Sequence, residues 1–269
     1  MPELKAPGRE YRRIALFGGV YSNWLALEAT LADVRRRDVE AIFCLGDIGG
    51  FGPHPDRVFP LLRGAGVETI QGNYDESLAL GRTDCGCGYT DPRDNAFARI
   101  SYGYTLARTS SDNTRWLATL PRRRRLDLGG RRLLLSHGSP RQINEFLWES
   151  TTPDGLLTSL LDRERADVVL CTHTGLKWHR ALGDDRHLVN VGVIGRPEND
   201  GTLNVWYTIL TAGDELAVEF VPVHYDTETL ARQIEAEGLP AEFAETIRTG
   251  WWTTCLEVLP SKERARGRF

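Results

Sequence analysis

Residues 41–53 read AIFCLGDIGGFGP, a short apolar run that ends in a glycine-rich loop containing one carboxylate, Asp47. The same arrangement occurs on either side of it, because residues 14–23 read IALFGGVYSN and residues 67–75 read VETIQGNYD. Between these runs, apolar residues recur with the spacing of amphipathic helices. Short strands that alternate with helices through tight connections predict a parallel sheet with helices outside it.

A second group of strands is predicted farther along the chain. Gly129 and Gly130 separate two short apolar runs, which indicates a β-hairpin. Helical spacing covers residues 95–120 and returns after residue 226. Further apolar runs predict strands at 168–170, 188–191, 203–210 and 216–221. Strands in two groups indicate an α/β fold of two stacked sheets with helices on the outer faces.

Composition excludes several classes of protein. A chain of 269 residues with 41% hydrophobic and 26% charged residues is typical of a globular protein. Its net charge of −4 argues against general binding to nucleic acid, which usually requires a basic face. The N-terminal residues lack the apolar core of a signal peptide, and no run of 18 apolar residues is present. We therefore expect a cytoplasmic protein without a membrane partner.

Five cysteines are present, and an odd number argues against a complete disulfide framework. Cys85 and Cys87 form a C-x-C pair in the loop DCGCGYTDPRDN, residues 84–95. Because this loop follows GNYD closely, we expect it to fold back over the end of the sheet. Two interpretations remain open: a surface loop with incidental thiols, or a loop whose thiols are soft metal ligands or redox-sensitive lid residues.

Four polar side chains follow predicted buried strands directly. They are Asp47 in GDIGG, Asn73 in GNYD, His137 in SHGSP and His173 in CTHTG. Taken singly, each is a common turn former or structural residue. The carboxyl ends of parallel strands meet at one edge of a sheet, so these four side chains are expected to converge. A carboxylate, an amide oxygen and two imidazoles suit Mn²⁺, Fe²⁺ or Zn²⁺.

The order of these motifs resembles that of the calcineurin-like metallophosphoesterases. GDIGGFGP, GNYD, SHGSP, THTGL and NVGVIGRP carry the resemblance, which covers residues 13–223. It is nearest to the compact bacterial and archaeal branch described as phosphodiesterase-like or diadenosine-tetraphosphatase-like. The resemblance implies a four-layer α/β/β/α sandwich with a two-metal site. It further implies that Asp47 bridges both ions and that Asn73, His137 and His173 complete the second one.

Four positions depart from the family pattern. Gly19 and Tyr21 replace the Asp-x-His ligands of the first ion, and Gly175 replaces its other histidine. Tyr74 replaces the histidine of GNHD, which the family uses on the leaving group or the phosphate. Three interpretations follow: one ion per chain, a catalytically inactive site, or a first site rebuilt from other side chains. The candidates for rebuilding it are Tyr21, Asp84, Cys85, Cys87, His54 and His179.

These observations together lead to a functional hypothesis. The chain is expected to be a metal-dependent phosphoesterase or phosphodiesterase acting on a small phosphorylated substrate. Asp47, Asn73, Tyr74 and Tyr21 are the candidate catalytic residues, the tyrosines as donors of a hydrogen bond or proton to the phosphate or leaving group. Arg141 and Arg196 are candidate phosphate ligands, since guanidinium matches phosphate geometry. The alternatives are a non-catalytic metal- or phosphate-binding protein and a redox-linked metal site at the C-x-C loop.

Two segments are expected in the domain organisation. Residues 1–225 form the metallophosphoesterase domain, and residues 226–269 form a helical extension that packs on this domain or on a partner subunit. Trp251 and Trp252 lie in the extension. Three roles are open for them: packing in the core, a contact within a homo-oligomer, or a wall of the substrate site.

Overall fold

Two mixed β-sheets lie face to face in the computed structural model, which describes residues 10–265. The strands are β1 Glu10–Tyr11, β2 Arg13–Phe17, β3 Ala41–Cys44, β4 Glu68–Thr69, β5 Arg123–Leu128, β6 Arg131–Ser136, β7 Val168–Cys171, β8 Trp178–Ala181, β9 His187–Asn190, β10 Val205–Thr211 and β11 Ala217–Val223. The first sheet has the order β11-β10-β2-β3-β4, and the second has the order β1-β5-β6-β7-β9-β8.

Each sheet contains three neighbouring parallel strands. In the first sheet β2, β3 and β4 run parallel, as the strand and helix order of the sequence predicts. In the second sheet β6, β7 and β9 run parallel, and β5 and β6 form the predicted hairpin. The polar residues that follow β3, β4, β6 and β7 therefore come from the carboxyl ends of parallel strands.

Helices cover both outer faces. They are α1 Trp24–Val34, α2 Val58–Gly64, α3 Asn73–Ala79, α4 Pro92–Arg108, α5 Ser111–Leu117, α6 Asp154–Glu164, α7 Thr227–Ala236, α8 Ala241–Thr249 and α9 Ser261–Ala265. Buried side chains of α1 to α5 pack on the first sheet, and those of α6 pack on the second. The predicted four-layer fold is therefore confirmed.

The alternation of side chains along β2 shows how the layers are held together. Ile14 and Leu16 lie in the apolar cluster between the two sheets, whereas Ala15 and Phe17 lie in the cluster between the first sheet and its helices. All four are fully buried. Successive side chains of a strand point to opposite faces, so one continuous apolar run supplies two separate cores.

Three local features differ from the prediction. GNYD is the first turn of α3 and not a loop, because the carboxylate of Asp75 accepts a hydrogen bond from the backbone N–H of Gly72 and caps the helix. The helical segment predicted over 95–120 is two helices, broken where Asp56 accepts from the backbone N–H of Ser110. The edge strand β8 was not predicted, since its sequence, WHRA, is mostly polar.

The C-terminal helices pack against this chain's own helical face. Apolar residues of α7 and α8 form a cluster with Leu25, Phe51, Phe97 and Tyr104. Trp252 is buried, its indole N–H donates to the carbonyl of Pro197 (2.7 Å), and its backbone N–H donates to Asn199 (2.8 Å). Within residues 10–265 no helix has the length and apolar character needed to span a membrane.

Candidate metal centre

Asp75 joins the loop after β3 to the start of α3. Its carboxylate accepts hydrogen bonds from three backbone N–H groups, those of Asp47 (2.8 Å), Ile48 (3.0 Å) and Gly72 (2.8 Å). The side chain is fully buried, and burial together with the neighbouring Asp47 raises the pKa of Asp75 to about 6. Asp75 therefore fixes the two segments that supply Asp47 and Asn73.

Two glycines let these segments approach each other. A Cβ at Gly46 would lie 2.2 Å from the backbone nitrogen of Gly72, and a Cβ at Gly72 would lie 2.4 Å from Asp47 Oδ1. Gly46 also has a φ of 89°, a conformation that favours glycine. Only glycine allows the backbone contact on which the centre is built.

We expect Gly46→Ala to destabilise the protein by at least about 2 kcal/mol, because it combines backbone strain with a steric clash. Gly103→Ala is the matched control, since Gly103 is exposed on α4 and a Cβ there meets nothing within 4 Å. This control should stabilise the protein by about 0.5–1 kcal/mol. Chemical denaturation of both variants tests the pair, and equal stabilities would contradict the prediction.

Asp47, His137 and His173 meet at the ends of β3, β6 and β7. His137 Nε2 lies 3.2 Å from Asp47 Oδ2 and 3.2 Å from His173 Nδ1. His137 Nδ1 donates to the carbonyl of Leu45 (2.6 Å), which fixes the ring and leaves Nε2 facing the other two residues. Asp47 and His173 have φ values of 58° and 66°, so both side chains are carried on left-handed backbone.

Asp47, His137 and His173 shift one another's pKa values. Burial works to raise the pKa of Asp47, but His137 and His173 outweigh it and hold that pKa below the usual range. For His137, burial works to lower the pKa, and Asp47 raises it above the usual value. Burial and the neighbouring His137 lower the pKa of His173 to about 3. His173 is therefore a neutral imidazole, the form that binds metal ions.

Asn73 completes the predicted set. Its Nδ2 donates to the carbonyl of Cys85 (2.9 Å), and its Oδ1 is buried without a hydrogen-bond partner. Within residues 10–265, Asp47, His137 and His173 are the only group of three His, Cys, Asp or Glu ligand atoms lying mutually within 4.8 Å. An unpartnered amide oxygen next to such a group fits a divalent cation.

The C-x-C loop covers this centre, as its position in the sequence predicted. We call residues 84–89 the lid loop. Cys85 and Cys87 are joined by a disulfide, and Asn144 donates to the carbonyl of Gly86 (2.8 Å). Phe146 packs at a tilt against His173, with ring centroids 4.4 Å apart, and stacks on Tyr89 of the lid loop. While the disulfide is intact, neither cysteine offers a thiolate to a metal.

Thiol titration tests the disulfide. Cys44, Cys171 and Cys255 are free and buried. We therefore expect 3 reactive thiols in the unreduced, denatured protein, and all 5 cysteines after reduction. The folded, unreduced protein should react slowly, because burial protects a thiol and raises its pKa. Five thiols without reductant would show that Cys85 and Cys87 are not bonded in solution.

Both candidate catalytic tyrosines are buried. The hydroxyl of Tyr74 donates to Ser101 Oγ (3.0 Å), and its ring packs on Tyr102. The ring of Tyr21 packs edge-on against Phe51, with centroids 5.1 Å apart. Burial raises the pKa of both hydroxyl groups, which makes them poor acids and poor anionic ligands. Their roles in catalysis stay predictions.

The other residues considered for a first metal ion have partners elsewhere. His54 Nδ1 lies 3.9 Å from Glu237, and His179 Nε2 lies 3.0 Å from His187 Nδ1. Asp84 accepts a hydrogen bond from the backbone N–H of Gly86 within the lid loop. In the described part of the chain, none of them joins the group around Asp47.

The two candidate phosphate ligands differ in their surroundings. Arg141 is paired with Glu145, and its side chain is 40% exposed. Arg196 is only 6% exposed, and its guanidinium stacks on the indole of Trp252 with Cζ 3.6 Å from the ring centroid. Sequence reasoning named Arg196 and Trp252 separately, and no local pattern indicates that they meet.

Comparisons with known proteins agree with this geometry. The model of the calcineurin-like phosphoesterase superfamily domain matches residues 13–215. An uncharacterized protein of Methanocaldococcus jannaschii is 26% identical over 251 residues, covering 88% of this chain and 98% of that protein. A metallophosphoesterase from Sphaerobacter thermophilus has 25% identity and a TM-score of 0.68, covering 90% of this chain and all of its own. A hypothetical protein from Pyrococcus horikoshii OT3 shares the fold, with 19% identity, a TM-score of 0.75, and coverage of 90% of this chain and 99% of its own.

Proposed function

The chain belongs to the calcineurin-like phosphoesterase superfamily, and from that premise we propose that it is a metal-dependent phosphoesterase working with one divalent ion per chain. Asp47, Asn73, His137 and His173 would hold the ion. The observation that carries the proposal is the convergence of Asp47, His137 and His173, together with the buried Asn73 Oδ1 that has no hydrogen-bond partner.

The reaction class is hydrolysis of a phosphoester in a small phosphorylated molecule. A water oxygen forms a bond to phosphorus, the bond from phosphorus to the leaving oxygen breaks, and the leaving group takes up a proton. A divalent ion bound at such a site polarises a phosphoryl oxygen and lowers the pKa of water. The donor set of one carboxylate, one amide oxygen and two imidazoles suits Mn²⁺, Fe²⁺ or Zn²⁺.

The chain's own residues prepare the site for this work. The hydrogen bond from His137 to Leu45 and the three hydrogen bonds to Asp75 hold the ligands in place before any ion binds. Phe146 packs against the ring of His173, and the lid loop accepts a hydrogen bond from Asn73, so both side chains are held in position. Ligands fixed in advance need little reorganisation when an ion or substrate arrives.

A second candidate function is a non-catalytic binding module on the same fold. It is favoured by the burial of all four ligand side chains, one of which, Asn73, is bonded to the lid loop. Glycine at positions 19 and 175 also removes two ligands that the family uses for its first ion.

Hydrolysis of bis-p-nitrophenyl phosphate separates the two functions. Protein stripped of metal is reconstituted with Mn²⁺, Fe²⁺ or Zn²⁺, and turnover is measured beside the metal content of each sample. We expect about one ion per chain and turnover that appears only with metal. Retained metal without turnover of this ester or of a phosphomonoester would favour the binding module.

A further inference from the structure

Arg196 is a buried cation without an anionic partner. It is 6% exposed, and its Nε has no hydrogen-bond partner. Within residues 10–265 it forms no ion pair, although most arginines of this chain lie beside a carboxylate. An unpaired buried charge is strongly unfavourable for the free protein. An anionic ligand would offset this cost.

Aromatic rings hold the guanidinium in position. Its Cζ lies 3.6 Å from the ring centroid of Trp252, 5.0 Å from that of Phe51 and 5.8 Å from that of Tyr21. Trp252 is itself fixed by hydrogen bonds to Pro197 and Asn199. Cation–π contacts orient a guanidinium but leave its N–H groups free to donate. This arrangement positions the cation without neutralising it.

The acidic groups that the charge of Arg196 reaches do not neutralise it either. Burial raises the pKa values of Tyr21, Tyr89 and Cys255, so all three are uncharged at neutral pH. Tyr89 belongs to the lid loop, which also covers Asn73. Arg196 and the metal centre therefore both lie near the lid loop.

Arg196 occupies the side of the centre where ligands are missing. A Cβ at Gly175, two residues after His173, would lie 3.3 Å from Arg196 Nη2 and 3.0 Å from the Trp252 ring. A Cβ at Gly19 would lie 2.9 Å from the hydroxyl oxygen of Tyr21. Guanidinium and phenol thus fill the space beside the two glycines that replace first-ion ligands.

We propose that Arg196 is a fixed cation that replaces the first metal ion and binds the phosphate group of the substrate, and that Trp252 positions it. The identity of the substrate rests on the function proposed above. The existence of an anion site at Arg196 does not depend on that function. Guanidinium donates two parallel hydrogen bonds to phosphate oxygens, a geometry that a point charge does not provide. The C-terminal segment, through Trp252, is then part of the active site.

Calorimetric titration with inorganic phosphate tests the anion site without any turnover. The metal-loaded protein is compared with Arg196→Met, Arg196→Lys and the control Arg232→Gln, which alters an exposed ion pair on α7. We expect Arg196→Met to bind phosphate at least about tenfold more weakly. Arg196→Lys should retain part of the affinity and the control all of it. Manganese content should stay near one ion per chain throughout.

Thermal stability gives an independent readout. Because Arg196 is unpaired in the free protein, Arg196→Met should keep or raise Tm while it weakens phosphate binding. A structural anchor would behave in the opposite way, losing Tm with unchanged phosphate affinity. That result would overturn the proposal, and so would two metal ions per wild-type chain.

Variants of Trp252 test its positioning role. Trp252→Phe retains an aromatic face for the guanidinium, whereas Trp252→Leu does not. We expect phosphate affinity to be preserved in Trp252→Phe and weakened in Trp252→Leu, with metal content unchanged in both. Equal phosphate affinities in the two variants would overturn the role of Trp252. If the ester is not hydrolysed but phosphate binding still depends on Arg196, the anion site stands and only the hydrolytic function fails.

Discussion

Asp75→Ala is expected to lower the free energy of unfolding by about 3–5 kcal/mol, the largest effect on stability that we predict. The substitution leaves three backbone N–H groups, those of Asp47, Ile48 and Gly72, buried without an acceptor. For a domain of this size the loss corresponds to a fall in Tm of about 10 °C. Because the same bonds position Asp47 and Asn73, metal content should fall as well.

The matched control for Asp75 is Asp112→Ala. Asp112 is exposed near the start of α5 and pairs with Arg115 on the same helix. Its replacement should change stability by no more than about 0.5 kcal/mol. Denaturation curves and metal analysis of both variants test the predicted losses of stability and of bound metal. If Asp75→Ala matched the control, the hydrogen bonds of Asp75 would not be what joins the two loops.

His137→Ala is expected to abolish metal retention and, with it, hydrolysis. The substitution removes the imidazole that lies 3.2 Å from both Asp47 and His173. Loss of a ligand from a four-residue site should reduce metal content at least about tenfold, and turnover about a hundredfold or more. Metal content is measured after gel filtration, and turnover is measured with bis-p-nitrophenyl phosphate.

The control is His224→Ala, since His224 is exposed at the end of the last strand. It should retain both metal and turnover, which excludes a general effect of losing a histidine. Normal metal content in His137→Ala would place the ion elsewhere. Normal turnover with no metal would exclude a metal-dependent reaction altogether.

The candidate metal centre could be predicted from the sequence because parallel strands end at the same edge of a sheet. Asp47, His137 and His173 each follow a buried apolar run directly, so their meeting required no knowledge of loop geometry. The alternation of β2 side chains between the two apolar clusters could not be predicted from the sequence. Both of its faces are buried, and a continuous apolar run does not show which residue faces which layer.

The features that escaped prediction depend on contacts between distant segments. The start of helix α3 at GNYD could not be predicted, because glycine, asparagine and aspartate are also common turn formers. Arg196 meets Trp252 only because the C-terminal segment returns to the end of the sheets. The bond between Cys85 and Cys87 was equally invisible, since a C-x-C pair is compatible with free thiols, metal binding or a disulfide.

The crowding around Gly175 constrains how this chain can evolve. A histidine introduced there alone would meet the ring of Trp252, and a carboxylate at position 19 would meet Tyr21 and Val193. Each reversion should therefore be harmful until a neighbour has changed, a case of strong epistasis. Mutational paths back to a two-ion site must pass through poorly packed intermediates. The side chains beside Gly19 and Gly175 would thus preserve the proposed one-ion site.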